Sequence, residues 1–215
     1  MAINLNKITL EKQGDSHKID LTKGGSNSSK EIIINLNWTQ KKGFWANLTN
    51  SAIDLDLGCF YELRDGQKNV IDGLQFAHGQ GGSKDVLTKQ GRYIGTPWIW
   101  HTGDDRSGAG DGENILVNPQ GLSDLKRIIV YCFIYEGVAK WVETNAIVTI
   151  KVPDNPDIVV EMGKQYNSQT FCAIAEIVLG ADNSMTVKKL ATFHNGHSDC
   201  DKTYNWGMKW HTGSK

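Results

Sequence analysis

The stretch "IDLDLGCFYELRDG", residues 53–66, places Leu55, Leu57, Cys59, Tyr61 and Leu63 on alternate positions. That is the period of a β-strand with one face in a core. The "DG" at 65–66 then reads as a turn. The same period of two runs through most of the chain. "EIIINLNW" (31–38) reads as a strand, and "RIIVYCFIYEG" (127–137) as a long strand covered on both faces. "AIVTIKV" (146–152), "DIVVEM" (157–162), "CAIAEIVLG" (172–180) and "MTVKKLATF" (185–193) follow as further strands, with "GADNS" (180–184) as a hairpin loop. Successive strands joined by short turns favour antiparallel pairing over a parallel sheet with crossover helices. The fold expected is all-β, an antiparallel β-sandwich.

Hydrophobic residues make up 39% of the 215, enough for a core, which excludes a disordered chain. The 23 glycines against 4 prolines suit an all-β domain with glycine-shaped turns. The stretches 21–31 and 76–96 are weakly patterned and read as long glycine-rich loops. Strand patterning resumes after each without a change in composition, so residues 1–215 are read as a single domain. "PQGLSDLKR" (119–127) suits a helical turn with Ser123 as N-cap.

Net charge is −1, from 23 basic and 24 acidic residues. Neither sign dominates, so nucleic-acid binding is not expected and no bilayer footprint is visible. The N-terminus "MAINLNKITLEKQGD" lacks the apolar run of a signal peptide. No window approaches the ~18 apolar residues of a membrane span, so direct membrane insertion is not expected. Cys59, Cys132, Cys172 and Cys200 show no C-x-x-C spacing. Reduced, partly buried thiols in a cytoplasmic protein are the expectation.

The chemistry concentrates in "HTGDDRSGAGDGEN" (101–114), which holds three aspartates, one glutamate and four glycines. A phosphate cradle would need a lysine before a helix, and the carboxylates would repel phosphate. A glycosidase pair would need two acids held apart across a cleft. A calcium cage suits the composition better, because calcium takes about six to eight oxygen ligands from carboxylates, carbonyls and water. The stretch is not an EF-hand: with Asp105 at position 1, position 5 is Ala109 and no glutamate stands at position 12. A second acidic feature precedes it. Asp54 and Asp56 lie two apart on the strand read at 53–63, on one face and roughly 7 Å apart by Cα spacing. Two like charges there are destabilising unless a cation or solvent compensates.

These two motifs, in this order, resemble the tellurite-resistance family of TerD-type calcium-binding domains. That family pairs a D-L-D strand with a glycine-rich acidic loop. The long "RIIVYCFIYEG", the later "TIKVP" and the closing "WGMKWHTGSK" resemble its TerA-type branch, and the likeness spans nearly the whole chain. The resemblance implies a sandwich that binds Ca2+ at one acidic edge, one or two ions. It implies Asp54, Asp56, Asp104, Asp105, Gly108, Gly110, Asp111 and Glu113 as the metal set, with Ser107 where the family often has Thr. It implies a non-enzymatic part in resistance to tellurite and other chemical stress. Where many members close the loop with three acids, this chain has Glu113, Asn114 and Ile115. Fewer ligand charges weaken binding.

The mechanism expected is electrostatic. Without an ion the acids repel and the loop stays open; with it the loop is ordered and presents a surface for a partner. The partners expected are other tellurite-resistance proteins, or alternatively a membrane-associated complex. Three alternatives remain: a metal-dependent hydrolase using the acidic edge, a sandwich in which calcium bridges to a sugar or headgroup, and a structural ion with no signalling role.

Other residues are expected to be structural. His194, His197 and Cys200 in "HNGHSDC" have spacing that could suit zinc or a soft metal, but plain surface chemistry is the simpler reading. His101 and His211 suit core or turn hydrogen bonds. Trp98 and Trp100 read as one face of an incoming strand, packed under the acidic loop. Trp206 and Trp210, at helix-like spacing, are expected to pack on the sandwich. Lys41, Lys42, Lys188 and Lys189 read as solvated.

Overall fold

Two stacked sheets enclose the core. The computed structural model describes residues 7–22, 30–38, 53–76, 83–103, 112–136, 141–162 and 165–211. Its strands are β1 (Lys7–Thr9), β2 (Ser16–Asp20), β3 (Ile32–Asn37), β4 (Asp54–Leu63), β5 (Lys68–Asp72), β6 (Gly91–Arg92), β7 (Ile99–His101), β8 (Glu113–Val117), β9 (Leu125–Glu136), β10 (Ile147–Lys151), β11 (Asp157–Glu161), β12 (Phe171–Leu179) and β13 (Ser184–His194). The described residues also form two short α-helices, α1 (Trp141–Thr144) and α2 (His197–Tyr204). No described helix is long and apolar enough to cross a membrane.

One sheet has seven strands in the order β1-β11-β10-β3-β8-β7-β6, the other six in the order β2-β13-β12-β9-β4-β5. The all-β sandwich expected from the alternation is what forms. Among the described strands the pairings are antiparallel except β1 with β11, which is parallel.

Strand parity assigns each face of the six-stranded sheet. Leu55, Leu57, Cys59, Tyr61 and Leu63 of β4 join Ile128, Val130, Cys132 and Ile134 of β9 in the core between the sheets. The opposite parity, Phe60 with Ile129, Tyr131 and Phe133, faces outward and is covered by a second cluster containing Phe171, Cys200 and Trp206. β9 is therefore buried on both faces, which explains its unbroken apolar run. The four cysteines are all free and buried.

Several local expectations are corrected. The turn at 119–121 is a short 3-10 turn capped by the Asn118 side chain, which accepts from Gln120 N–H; Ser123 caps nothing and is exposed. Trp98 has φ +65°, so the backbone turns there and Trp98 and Trp100 do not share a strand face. Trp98 packs against the inter-sheet core instead, and its Nε1–H donates to Asp124 Oδ2 at 2.8 Å. "WGMKW" is not helical. It is a strap over the outer face, held by the Asp201 carboxylate, which accepts from Gly207 N–H, Met208 N–H and Trp210 Nε1–H. The expected packing of Trp206 and Trp210 on the sandwich holds. Lys189 is buried rather than solvated; its ammonium donates to the carbonyls of Leu10 and Glu11 at 3.2 and 2.9 Å. Desolvation pulls its pKa down.

Candidate functional site

The acidic end of the sandwich is built where β5 runs out. β5 pairs with β4 only as far as Gly58, opposite Asp72. Beyond that point no described strand pairs with β4 on that side, and side chains from the other sheet reach its backbone. Leu57 N–H donates to Glu113 Oε2 at 2.6 Å, and His101 Nε2 lies 3.0 Å from Leu57 O. Gly103 N–H donates to His101 Nδ1 at 3.1 Å, so the ring proton sits on Nε2 and is given to the Leu57 carbonyl. Glu113 Oε2 and His101 Nε2 are 3.7 Å apart, and both side chains are fully buried. The expectation of core hydrogen bonding for His101 is met. The clamp on Leu57 was not visible in the sequence, because its partners lie 44 and 56 residues away.

Asp54 and Asp56 precede this clamp on β4. Strand parity turns them away from Leu55 and Leu57, onto the outer face of the six-stranded sheet, with Asp56 in register with Phe133. Asp56 is fully buried and Asp54 nearly so. Burial of two carboxylates two residues apart is unfavourable without compensation by hydrogen bonds or positive charge. The chain leaves this end after His101–Gly103 and returns at Gly112–Glu113, so the acidic loop is anchored beside Leu57 at both ends. Thr102 N–H donates to Asn114 O at 2.9 Å across the base of the loop. Gly112 is required at the return: its φ is +73°, and a Cβ there would sit 2.0 Å from the Leu36 carbonyl oxygen.

Of the eight residues expected to ligate metal, the structure brings Asp54, Asp56 and Glu113 to one end. Asp104, Asp105, Gly108, Gly110 and Asp111 lie outside the described residues. Among the described residues no group of three or more His, Cys, Asp or Glu could hold a metal ion. The donors present are hard carboxylate oxygens, the class calcium takes. Glu113 and Ile115 share the inward parity of β8 and are fully buried, while Asn114 accepts from Asn35 Nδ2–H at 2.9 Å. Ile115 is thus a core residue, which accounts for an apolar side chain at that place.

A further buried carboxylate was not signalled by the sequence. Asp72, on β5, accepts from Tyr131 Oη–H at 2.6 Å, and its Oδ2 lies 2.8 Å from His197 Nε2. Tyr131 reaches it by lying across Gly58, where a Cβ would come within 2.4 Å of the ring. Burial pushes the Asp72 carboxyl up, but the bonds from His197 and Tyr131 outweigh it and hold it below the usual range. His197 is surrounded by rings, with Phe171, Phe133 and Trp210 centroids at 4.8, 4.9 and 5.1 Å. "HNGHSDC" is therefore neither a polar loop nor a metal knot. His194 ends β13, His197 opens α2, and Cys200 is buried in the outer cluster.

No family model matches the chain. It is 35% identical, over 219 aligned positions, to Tellurium resistance protein TerA of Alcaligenes sp.. The alignment takes in 99% of this chain. The chain is TerA-like, of the tellurium-resistance family. It spans 60% of the length of that relative. Two solved structures share the fold of the TerA-like chain. One is a homologue of the telluride resistance protein TerD from Streptomyces coelicolor A3(2), with TM-score 0.53 and 16% identity over 80% of this chain and 94% of that one. The other is a protein of unknown function, with TM-score 0.52 and 16% identity over 79% and 92%.

Proposed function

We propose that this TerA-like chain is a calcium-binding, non-enzymatic stress-response module of tellurium resistance. The observation that carries the proposal is the burial of Asp54 and Asp56 on one face of β4, beside both anchors of the acidic loop. A divalent cation would offset that buried negative charge. Asp54 and Asp56 would hold it, with Glu113, Asp104, Asp105, Asp111 and the carbonyls of Gly108 and Gly110 completing the set. The ion supplies charge neutralisation and order; the loop so ordered presents a docking surface to other tellurite-resistance proteins in the cytoplasm. His101 supports the non-enzymatic reading, because both of its ring nitrogens are engaged in holding backbone groups.

The test is calcium titration calorimetry on chelator-stripped protein, with magnesium as control and melting temperature followed in parallel. Micromolar, calcium-selective binding with a rise in melting temperature is expected, since an ion bound only by the folded state stabilises it. Asp54→Asn with Asp56→Asn should abolish the heat. No heat from the intact protein would overturn the proposal.

A further inference from the structure

We propose that the segment 83–96 is a peripheral docking surface for an anionic membrane. Among the described residues it forms one margin of the seven-stranded sheet, where β6 is the last strand. The sequence "SKDVLTKQGRYIGT" carries Lys84, Lys89 and Arg92 against the single acid Asp85, and Glu31 lies 3.9 Å from Lys84, so Lys89 and Arg92 are the cations left to meet an anionic surface. It also carries Val86, Leu87 and Ile94, which are 58%, 64% and 53% exposed. Three of the six exposed large hydrophobics among the described residues thus come from one short segment.

The backbone holds this segment in shape. Tyr93 N–H and Ile94 N–H donate to Lys84 O at 2.8 and 3.3 Å, and Thr88 and Gly91 exchange two bonds at 3.0 Å. Arg92 Nε–H donates to Asp85 O at 3.0 Å. Gln90 fastens the turn to the sandwich: His101 N–H donates to its carbonyl at 2.9 Å, and its side chain donates to His101 O at 3.0 Å. The aliphatic side chains are therefore displayed on a fixed hairpin.

Adjacent exposed aliphatics flanked by cations match the interface of an anionic bilayer, where apolar groups enter the acyl boundary and cations meet phosphates. The chain as a whole, at net charge −1, offers no such attraction. The complementarity is local, and an anionic bilayer meets both parts of it, with phosphates for the cations and an acyl boundary for the aliphatics. The inference stands apart from the calcium reading and is tested without calcium.

The experiment is co-sedimentation in chelator with vesicles of phosphatidylglycerol and phosphatidylcholine in equal parts, and with phosphatidylcholine alone. The intact chain should pellet with the anionic vesicles only. Val86→Asp with Leu87→Asp should lower partitioning at least about tenfold, from the lost burial of two aliphatic side chains. Lys89→Glu should lower it about fivefold, from reversal of one surface charge. Melting temperatures should stay unchanged, since all three side chains are exposed. Equal partitioning of the double variant and the intact chain overturns the proposal, as does no binding to anionic vesicles. A smaller hydrodynamic radius of the double variant without vesicles also overturns it, because the patch then covers another protein chain.

Discussion

Glu62 and Glu113 are buried glutamates at opposite ends of β4, and they are held in different ways. Glu62, near the end of the strand, meets Lys126 Nζ at 2.6 Å and Arg127 Nη2 at 3.2 Å. Arg127 in turn lies 4.3 Å over the Trp206 ring and 3.4 Å from Glu176. Burial pushes the Glu62 carboxyl up, but the Lys126 bond and the charges of Arg127, Lys126 and Lys68 hold it below the usual range. Glu113 instead spends an oxygen on the Leu57 backbone, where no described strand pairs with it. One end of β4 is a charge network open to water, and the other is a joint between the two sheets. Loss of a carboxylate should therefore be felt far more at the joint.

Glu113→Ala should have the largest effect. It leaves Leu57 N–H buried without its acceptor, which costs about 3 kcal/mol. In a chain of this size that is a fall in melting temperature of roughly 10 °C. Glu113→Gln keeps an acceptor oxygen and should cost about half as much. Both are read by urea unfolding in chelator, so that any ion is absent.

Asp72 gives an intermediate case, a buried carboxylate held by a phenol and an imidazole. Tyr131→Phe removes one bond and should cost about 1–2 kcal/mol. Because the folded pKa of Asp72 is depressed, its stabilisation is present above its unfolded value of about 4 and is lost as pH falls through the folded value. Tyr131→Phe should therefore move the midpoint of acid unfolding upward, seen by circular dichroism on lowering the pH. An unchanged midpoint would mean that His197 alone holds the carboxylate down.

Glu62→Gln should have the smallest effect, about 1 kcal/mol or less, because Lys126 is largely exposed. The cost should shrink further in high salt. If denaturant unfolding showed Glu62→Gln to cost as much as Glu113→Ala, the contrast between the two ends would fail.

The inter-sheet core was legible because it is made by period two: Leu55, Leu57, Cys59, Tyr61 and Leu63 announce their face one by one. The same parity put Asp54 and Asp56 on a shared face. What lay hidden was pairing across distance. The bond between Asp72 and His197 joins residues 125 apart, and no local period signals it. Lys189 looks solvated beside Lys188 because adjacent strand residues face opposite ways, and only the fold shows that carbonyls of Leu10 and Glu11 wait on its side. Trp98 broke its expected alternation through a backbone turn at a residue type that rarely makes one. In the outer cover the strap was legible from Trp206 and Trp210, whereas α2 is short and polar in sequence, so its contact with the sheet had no amphipathic stripe to reveal it.

The burial of the four thiols gives the molecule a built-in clock for its own opening. Cys59, Cys132 and Cys172 lie in the core between the sheets, and Cys200 lies under the outer cover. Burial also raises the pKa of each, so none offers thiolate to a reagent while its layer is closed. Timed alkylation followed by peptide mass spectrometry will thus date two events separately: the lifting of the cover, by the mark on Cys200, and the parting of the sheets, by the marks on the other three.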